Sequence, residues 1–245
     1  MAQIHYEWMD EIGIGKFAHF SLREYIEGDT LKSLWSTMNW QEKTRAADQV
    51  SAWLKQLRNL TANYMGRLDE QPLVDHVMFN TLHFDRQGPF YHKDDLWAAM
   101  EATLQSPYQH CAIPAEALAA LGRKMPDCWP ATFTHGDLSL GNIIMRDGEV
   151  VGLLDWRWSG LFPSWWEHTK LSWGHGVCID PQWFHLLEER MDKYPDAVVF
   201  HEQFQDLVRY IASNKQEYRQ QGQETILRLL SEQPHPGSVS DSLHS

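Results

Sequence analysis

Between Trp40 and Thr61 the apolar residues Ala46, Ala47, Val50, Trp53, Leu54, Leu57 and Leu60 recur at helical spacing. That period predicts an amphipathic helix with one face packed on a core. Ahead of it, His5–Glu11 and Phe17–Ile26 read as extended runs around the turn Gly13-Ile14-Gly15, a hairpin in which Phe20, Leu22 and Tyr25 are apolar positions; helical text starts at Asp29. A looser stretch, Gly66 to Lys93, contains the turn Gly88-Pro89, and helical spacing resumes over Asp94–Leu104 and Ala115–Leu121. Thr132-Phe133 leads into a polar loop. Then come Ile143-Ile144-Met145, Asp147-Gly148 and Val150-Val151-Gly152-Leu153-Leu154, and Asp-Gly between two apolar runs is a strong hairpin signal. Ser164-Trp165-Trp166-Glu167 has the form of a capping box, Asp180-Pro181 supplies an N-cap with a first-turn proline, and the pattern stays helical to about Leu230. The last segment, 232–245, is rich in Ser, Pro and His without periodicity and reads as a disordered tail.

Composition narrows the class. A chain of 245 residues with 43% hydrophobic content can bury a sizeable core. Its 21 basic and 33 acidic residues give a net charge of −12, which argues against nucleic acid or anionic lipid as partner. The N-terminal MAQIHYEWMD lacks the apolar core of a signal peptide, and no apolar run approaches a membrane span. Cys111, Cys128 and Cys178 are odd in number and widely spaced, as expected of reduced thiols in a cytoplasmic protein. The sequence leaves the oligomeric state open.

The chemistry is concentrated in His135-Gly136-Asp137-Leu138-Ser139-Leu140-Gly141-Asn142 and, beyond the hairpin, Leu154-Asp155-Trp156. With Asp147 and Gly148 as the turn, position 146 faces 149, Asn142 faces Leu153, and Asp155 is the diagonal neighbour of Asn142, about 7–8 Å away at the backbone. One hard cation can fill such a gap between two oxygen-bearing side chains, so Asn142 and Asp155 form a candidate Mg2+ site. Asp137 lies five positions before Asn142 in a loop that must bend back toward the hairpin. A base, a metal-binding amide and a metal-binding carboxylate are the parts of phosphoryl transfer.

HGDLSLGN followed by LLDWRWSG resembles the catalytic loop and metal-binding motif of the aminoglycoside phosphotransferase and choline kinase family. The resemblance extends to Arg23-Glu24-Tyr25-Ile26-Glu27-Gly28, similar to that family's hinge, and to Gly88-Pro89-Phe90 and Pro163-Ser164-Trp165-Trp166-Glu167, similar to segments of its fungal-type members. It implies an α+β, protein-kinase-like fold: a remnant N-lobe hairpin and hinge over 1–28, a mainly helical C-terminal lobe with the catalytic β-hairpin over 29–231, and the tail over 232–245. It further implies Asp137 as catalytic base, Asn142 and Asp155 as Mg2+ ligands, His135 as support of the loop, and the backbone of Glu24, Tyr25 and Ile26 as the adenine contact of ATP. Two departures stand out. Members of the family usually carry a Gly-rich strand pair, a phosphate-binding lysine and a helix with its glutamate before the hinge, and 22 residues leave no room for them. The Asp-Trp motif is usually followed by an acidic residue, and Arg157 stands there instead.

Other patterns have plainer explanations. Gly13-Ile14-Gly15-Lys16-Phe17-Ala18 satisfies a dinucleotide-binding spacing but no helix follows it, so a hairpin turn explains both glycines and Lys16 is a solvated turn lysine. Asp137-Leu138-Ser139-Leu140-Gly141 has neither the first glycine nor the context of a nucleophile elbow. His76, His83, His92, His168 and His175 show no tight metal-ligand spacing, and Trp156, Trp158, Trp165 and Trp166 read as packing behind the site. The expected activity is ATP- and Mg2+-dependent phosphoryl transfer to a hydroxyl of a small molecule. The alternatives are a kinase-derived binding or regulatory module, and an enzyme reusing the pocket for other acid–base chemistry on a small metabolite.

Overall fold

The computed structural model describes residues 4–13, 16–79, 86–105, 111–174 and 180–232. Residues 14 and 15 of the expected turn, His83, His175, Cys178 and the expected tail beyond Glu232 lie outside them. In chain order the elements are β1 (Ile4–Gly13), β2 (Lys16–Arg23), β3 (Asp29–Thr30), α1 (Leu31–Leu34), α2 (Trp40–Leu57), β4 (Thr61–Ala62), α3 (Lys93–Leu104), α4 (Ala115–Lys124), β5 (Ala131–Thr134), β6 (Ile143–Arg146), β7 (Glu149–Leu153), β8 (Gly160–Pro163), α5 (Trp166–Gly174), α6 (Pro181–Glu188), α7 (Pro195–Ala212) and α8 (Gln216–Ser231). This is the expected α+β order.

The chain divides into two units, one formed by 1–61, 132–160 and 170–192, the other by 62–131, 161–169 and 193–245. In the first, β1 and β2 pair antiparallel with Tyr6 opposite Leu22 and Trp8 opposite Phe20. Strands β3, β6 and β7 form a second sheet in that order, antiparallel throughout. The expected helical start at Asp29 is thus a short strand first: Asp29 and Thr30 pair with Met145 and Ile144, and Thr30 then caps α1 by accepting from the Ser33 N–H at 3.2 Å. Gly28, at φ +142°, makes this approach possible, since a Cβ there would meet the Met145 carbonyl oxygen at 2.4 Å.

Helix α2 buries Ala46, Ala47, Val50 and Leu54, the face read from the sequence, in a core shared with Leu31, Ile143, Leu153, Trp183 and Leu187. It stops at Leu57 rather than Thr61, because the backbone beyond is recruited elsewhere: the Leu60 carbonyl accepts from the Phe133 N–H at 2.9 Å. Gln49 on α2 ties the helix to β7, its Oε1 accepting from the Val150 N–H at 2.7 Å while its Nε2 and Arg45 reach Glu149. Helix α6 begins as expected, with the Asp180 carboxylate accepting from the Gln182 N–H and Pro181 at the first turn.

In the second unit α3, α4, α7 and α8 pack together. Gly222 of α8 lies so close to α7 that a Cβ would come within 2.3 Å of Tyr210 Cβ. Buried Asp75 organises the loop before α3, accepting from the N–H groups of Val77 and Met78 and from the Trp166 indole at 2.9 Å. Trp165 and Trp166 are fully buried there. No described helix is long and apolar enough to cross a membrane.

Two outcomes follow from these elements. Asn39 and Glu42 form a reciprocal capping box at α2, at 2.8 and 3.1 Å. Replacing Asn39 with Ala is expected to lower the unfolding free energy by about 1 kcal/mol in a urea titration, with an unchanged m-value. Cys128 is fully buried, and burial pushes its thiol up to about 12. It is therefore expected to resist alkylation at pH 8 in the folded chain and to react once the chain is unfolded in urea.

Candidate functional site

The segment His135–Asn142 leaves β5 and returns to β6, and its shape is set by a small number of bonds. His135 is 1% exposed. Its Nε2 lies 3.0 Å from the Leu154 carbonyl oxygen, and its Nδ1 accepts from the Asp137 N–H at 3.2 Å, so the ring holds its proton on Nε2 and donates it to Leu154. One imidazole thus joins the residue before Asp155 to the residue expected as base. Gly136, at φ +82°, lets the loop lie against Trp158, whose carbonyl oxygen a Cβ would meet at 2.6 Å.

Asn142 closes the loop from the other end. Its Nδ2 donates to the Asp137 carbonyl at 3.0 Å, and its own carbonyl accepts from the Leu154 N–H at 2.7 Å. Because the amide nitrogen is committed to Asp137, Oδ1 is the end of Asn142 that remains for a cation. The Asp137 carboxylate accepts from the Ser139 N–H at 3.4 Å.

The hairpin differs from its expected register in an informative way. Arg146 does face Glu149, and Asp147 and Gly148, at φ 53° and 79°, make the turn. A bulge follows. Met145 pairs with Val150 but Ile144 with Gly152, leaving Val151 as an extra residue, so Ile143 faces Leu153 and Asn142 faces Leu154. Asp155 is therefore one residue past the partner of Asn142, not its diagonal neighbour. It has also left the strand: at φ 55°, ψ 66° it sits in the left-handed region, which non-glycine residues seldom occupy and which recurs at functional sites. Its carboxylate accepts from Arg157 Nη2 at 2.7 Å and remains 32% exposed.

Indole N–H groups fix the surroundings. Trp156 donates to the Leu153 carbonyl at 2.9 Å and packs against His135 with ring centroids 4.4 Å apart and planes tilted by 57°, while Trp183 of α6 donates to the Leu138 carbonyl at 2.7 Å. The sequence reading missed Trp183, which reaches the loop from 45 positions away with no local signal. It also missed the Arg157 contact, although Arg157 itself was visible as an unusual residue. A cleft of about 330 Å3 opens beside the loop, with Trp35, Ser36, Ser139, Leu140, Asp180 and Phe184 on its walls. Glu24, Tyr25 and Ile26, the residues expected at the hinge, lie between β2 and β3 outside any ladder; Tyr25 is 81% exposed, and Ile26 packs over Gly152 of β7. Among the described residues, no group of three or more His, Cys, Asp or Glu side chains stands together as metal ligands.

Residues 4–174 match the model of the phosphotransferase enzyme family. The chain belongs to that family. No curated protein matches it significantly. Among solved structures, phosphotransferase relatives share the fold: aminoglycoside phosphotransferase APH(4)-Ia superposes with a TM-score of 0.52 at 11% identity, over 96% of this chain and 77% of that one. A thermostable mutant of the same enzyme, in ternary complex with AMP-PNP and hygromycin B, gives 0.51 at 12% identity, over 94% and 75%. The expected protein-kinase-like α+β fold is thus that of the aminoglycoside phosphotransferases.

The double role of His135 has a measurable consequence. Its replacement by Ala leaves the half-buried Leu154 carbonyl and the Asp137 N–H without this partner. A loss of about 2–4 kcal/mol of stability is expected, read from denaturant unfolding.

Proposed function

We propose that this phosphotransferase moves the γ-phosphoryl group of ATP, with Mg2+, to a hydroxyl of a small molecule. The observation that carries the reading is the closed circuit in which His135 and Asn142 each bond to Asp137 and to Leu154, the residue before Asp155. A circuit of this kind fixes the backbone of Asp137 and of the residue before Asp155 relative to His135 and Asn142, and phosphoryl transfer depends chiefly on positioning and charge. Family membership and the fold shared with a nucleotide- and hygromycin-bound aminoglycoside phosphotransferase support the same reading.

Asp137 is the proposed base. Its carboxylate takes the proton of the acceptor hydroxyl as that oxygen attacks the γ-phosphorus. The new oxygen–phosphorus bond forms while the bond to the β,γ-bridging oxygen breaks, and the electron pair leaves with ADP. His135 keeps the Asp137 backbone in place through its N–H, and Asn142 does so through its carbonyl. The cleft beside Ser139 and Leu140 is the proposed space for the acceptor, and the Glu24–Ile26 backbone the proposed contact for adenine.

The residues present fit Mg2+. The Asn142 Oδ1 and the Asp155 carboxylate are oxygen donors, and a cation bound by few protein oxygens completes its shell with water and phosphate. When bound, it would supply charge neutralisation at the β- and γ-phosphates.

The test is transfer of labelled γ-phosphate from ATP to a panel of hydroxyl compounds, aminoglycosides included, by the full chain with and without Mg2+. Asp137→Asn keeps the shape of the loop residue and removes its charge. A rate loss of about 10²–10⁴ with an unchanged melting temperature is expected. Full transfer by that variant, or no transfer to any acceptor by the parent chain, would overturn the proposal.

A further inference from the structure

Asp155 already has a cationic partner from its own chain. Arg157 Nη2 lies 2.7 Å from Asp155 Oδ2, and the two residues flank Trp156 at the turn where the hairpin ends. The guanidinium is also placed over the Trp158 ring, its carbon 5.3 Å from the ring centroid. Trp158 is in turn held against Gly136 of the catalytic loop. Arg157 is therefore anchored on a residue packed against that loop, while its side chain is 57% exposed and has room to swing away.

We infer that Arg157 is a built-in competitor for the cation site, an internal counter-ion that a divalent metal must displace from Asp155. The inference rests on the proposed reading of Asp155 as a metal ligand. A divalent cation approaching this carboxylate meets a group that occupies one of its oxygens and carries like charge, so both the lost ion pair and the repulsion oppose its entry. Once displaced, the guanidinium suits the phosphates of a nucleotide, which it can bind through paired N–H groups. Metal on its own is thereby disfavoured relative to metal arriving with phosphate.

Mn2+ is the probe, titrated into the full chain and followed by electron paramagnetic resonance of the free ion. Arg157→Gln removes the charge and keeps much of the length. Arg157→Met is a second neutral variant whose stem still covers Trp158, should the first fail to fold. Either is expected to bind Mn2+ about tenfold more tightly than the parent, given the pair and the repulsion together. Arg157→Lys, which keeps the charge, is expected to stay within about threefold of the parent. Asp155→Asn is expected to abolish the binding in every background. If the neutral variants bind within about twofold of the parent, or more weakly, while Asp155→Asn still abolishes binding, the inference fails and the metal assignment stands. Binding that ignores Asp155→Asn, or no binding by any variant, overturns the assignment of Asp155 and the inference with it.

Discussion

The buried imidazole of His135 is the constraint on which the segment His135–Asn142 depends. Its ring nitrogens serve opposite functions, one donating to the Leu154 carbonyl and the other accepting from the Asp137 N–H. Both backbone groups belong to irregular chain, where no ladder supplies a partner, and an unmade bond in a buried place costs the full desolvation of the group. Only a neutral histidine with its proton on Nε2 satisfies both. Trp156, packed on the same ring and hydrogen-bonded to Leu153, keeps the imidazole from turning. The loop and the end of the hairpin are consequently tied into one piece, although Asn142 and Leu154 are 12 positions apart in the sequence.

That piece is seated by helices with little conformational choice of their own. The face of α2 that carries Ala46, Ala47, Val50 and Leu54 meets the hairpin through small and branched side chains, and Gln49 adds a hydrogen bond to the backbone of β7. From α6, Trp183 uses both of its characters: the ring fills core beside Trp35, and the indole N–H takes the Leu138 carbonyl in the middle of the loop. Burial and loop geometry are thereby supplied by the same side chain, so that a packing change at Trp183 is also a change at the site.

The hydrophobic period made the helices legible, and the Asp-Gly turn marked the hairpin, because both signals are local. The facing of Arg146 and Glu149 followed from the turn alone. What was not legible was the bulge at Val151. A β-bulge leaves no mark in an unbroken apolar run, since Val150, Val151, Gly152, Leu153 and Leu154 offer no polar residue to betray which one is extra. The pairing of Asn142 with Leu154 is therefore off by one from a count along an ideal ladder, yet the identity of the polar residues at the loop was unaffected, since it rested on residue type and resemblance. The short strand Asp29–Thr30 was hidden for a different reason: its pairing with β6 depends on a glycine, Gly28, that allows close approach of a segment more than a hundred positions away.

The left-handed backbone of Asp155 has a bearing on how tightly Arg157 can hold it. An aspartate tolerates this conformation better than most residues but still stores on the order of 1 kcal/mol or more of strain. The strain is met by the bonds on either side, Leu154 to Asn142 and His135, and Trp156 to Leu153, not by the carboxylate itself. The side chain is thus aimed by its neighbours, whatever its charge partner. A pair between groups 57% and 32% exposed is worth roughly 0.2–1 kcal/mol, far less than the circuit that fixes the backbone. Aim and partner are separable at this residue: the backbone circuit determines where the carboxylate points, and the weak ion pair can change hands without loosening the loop.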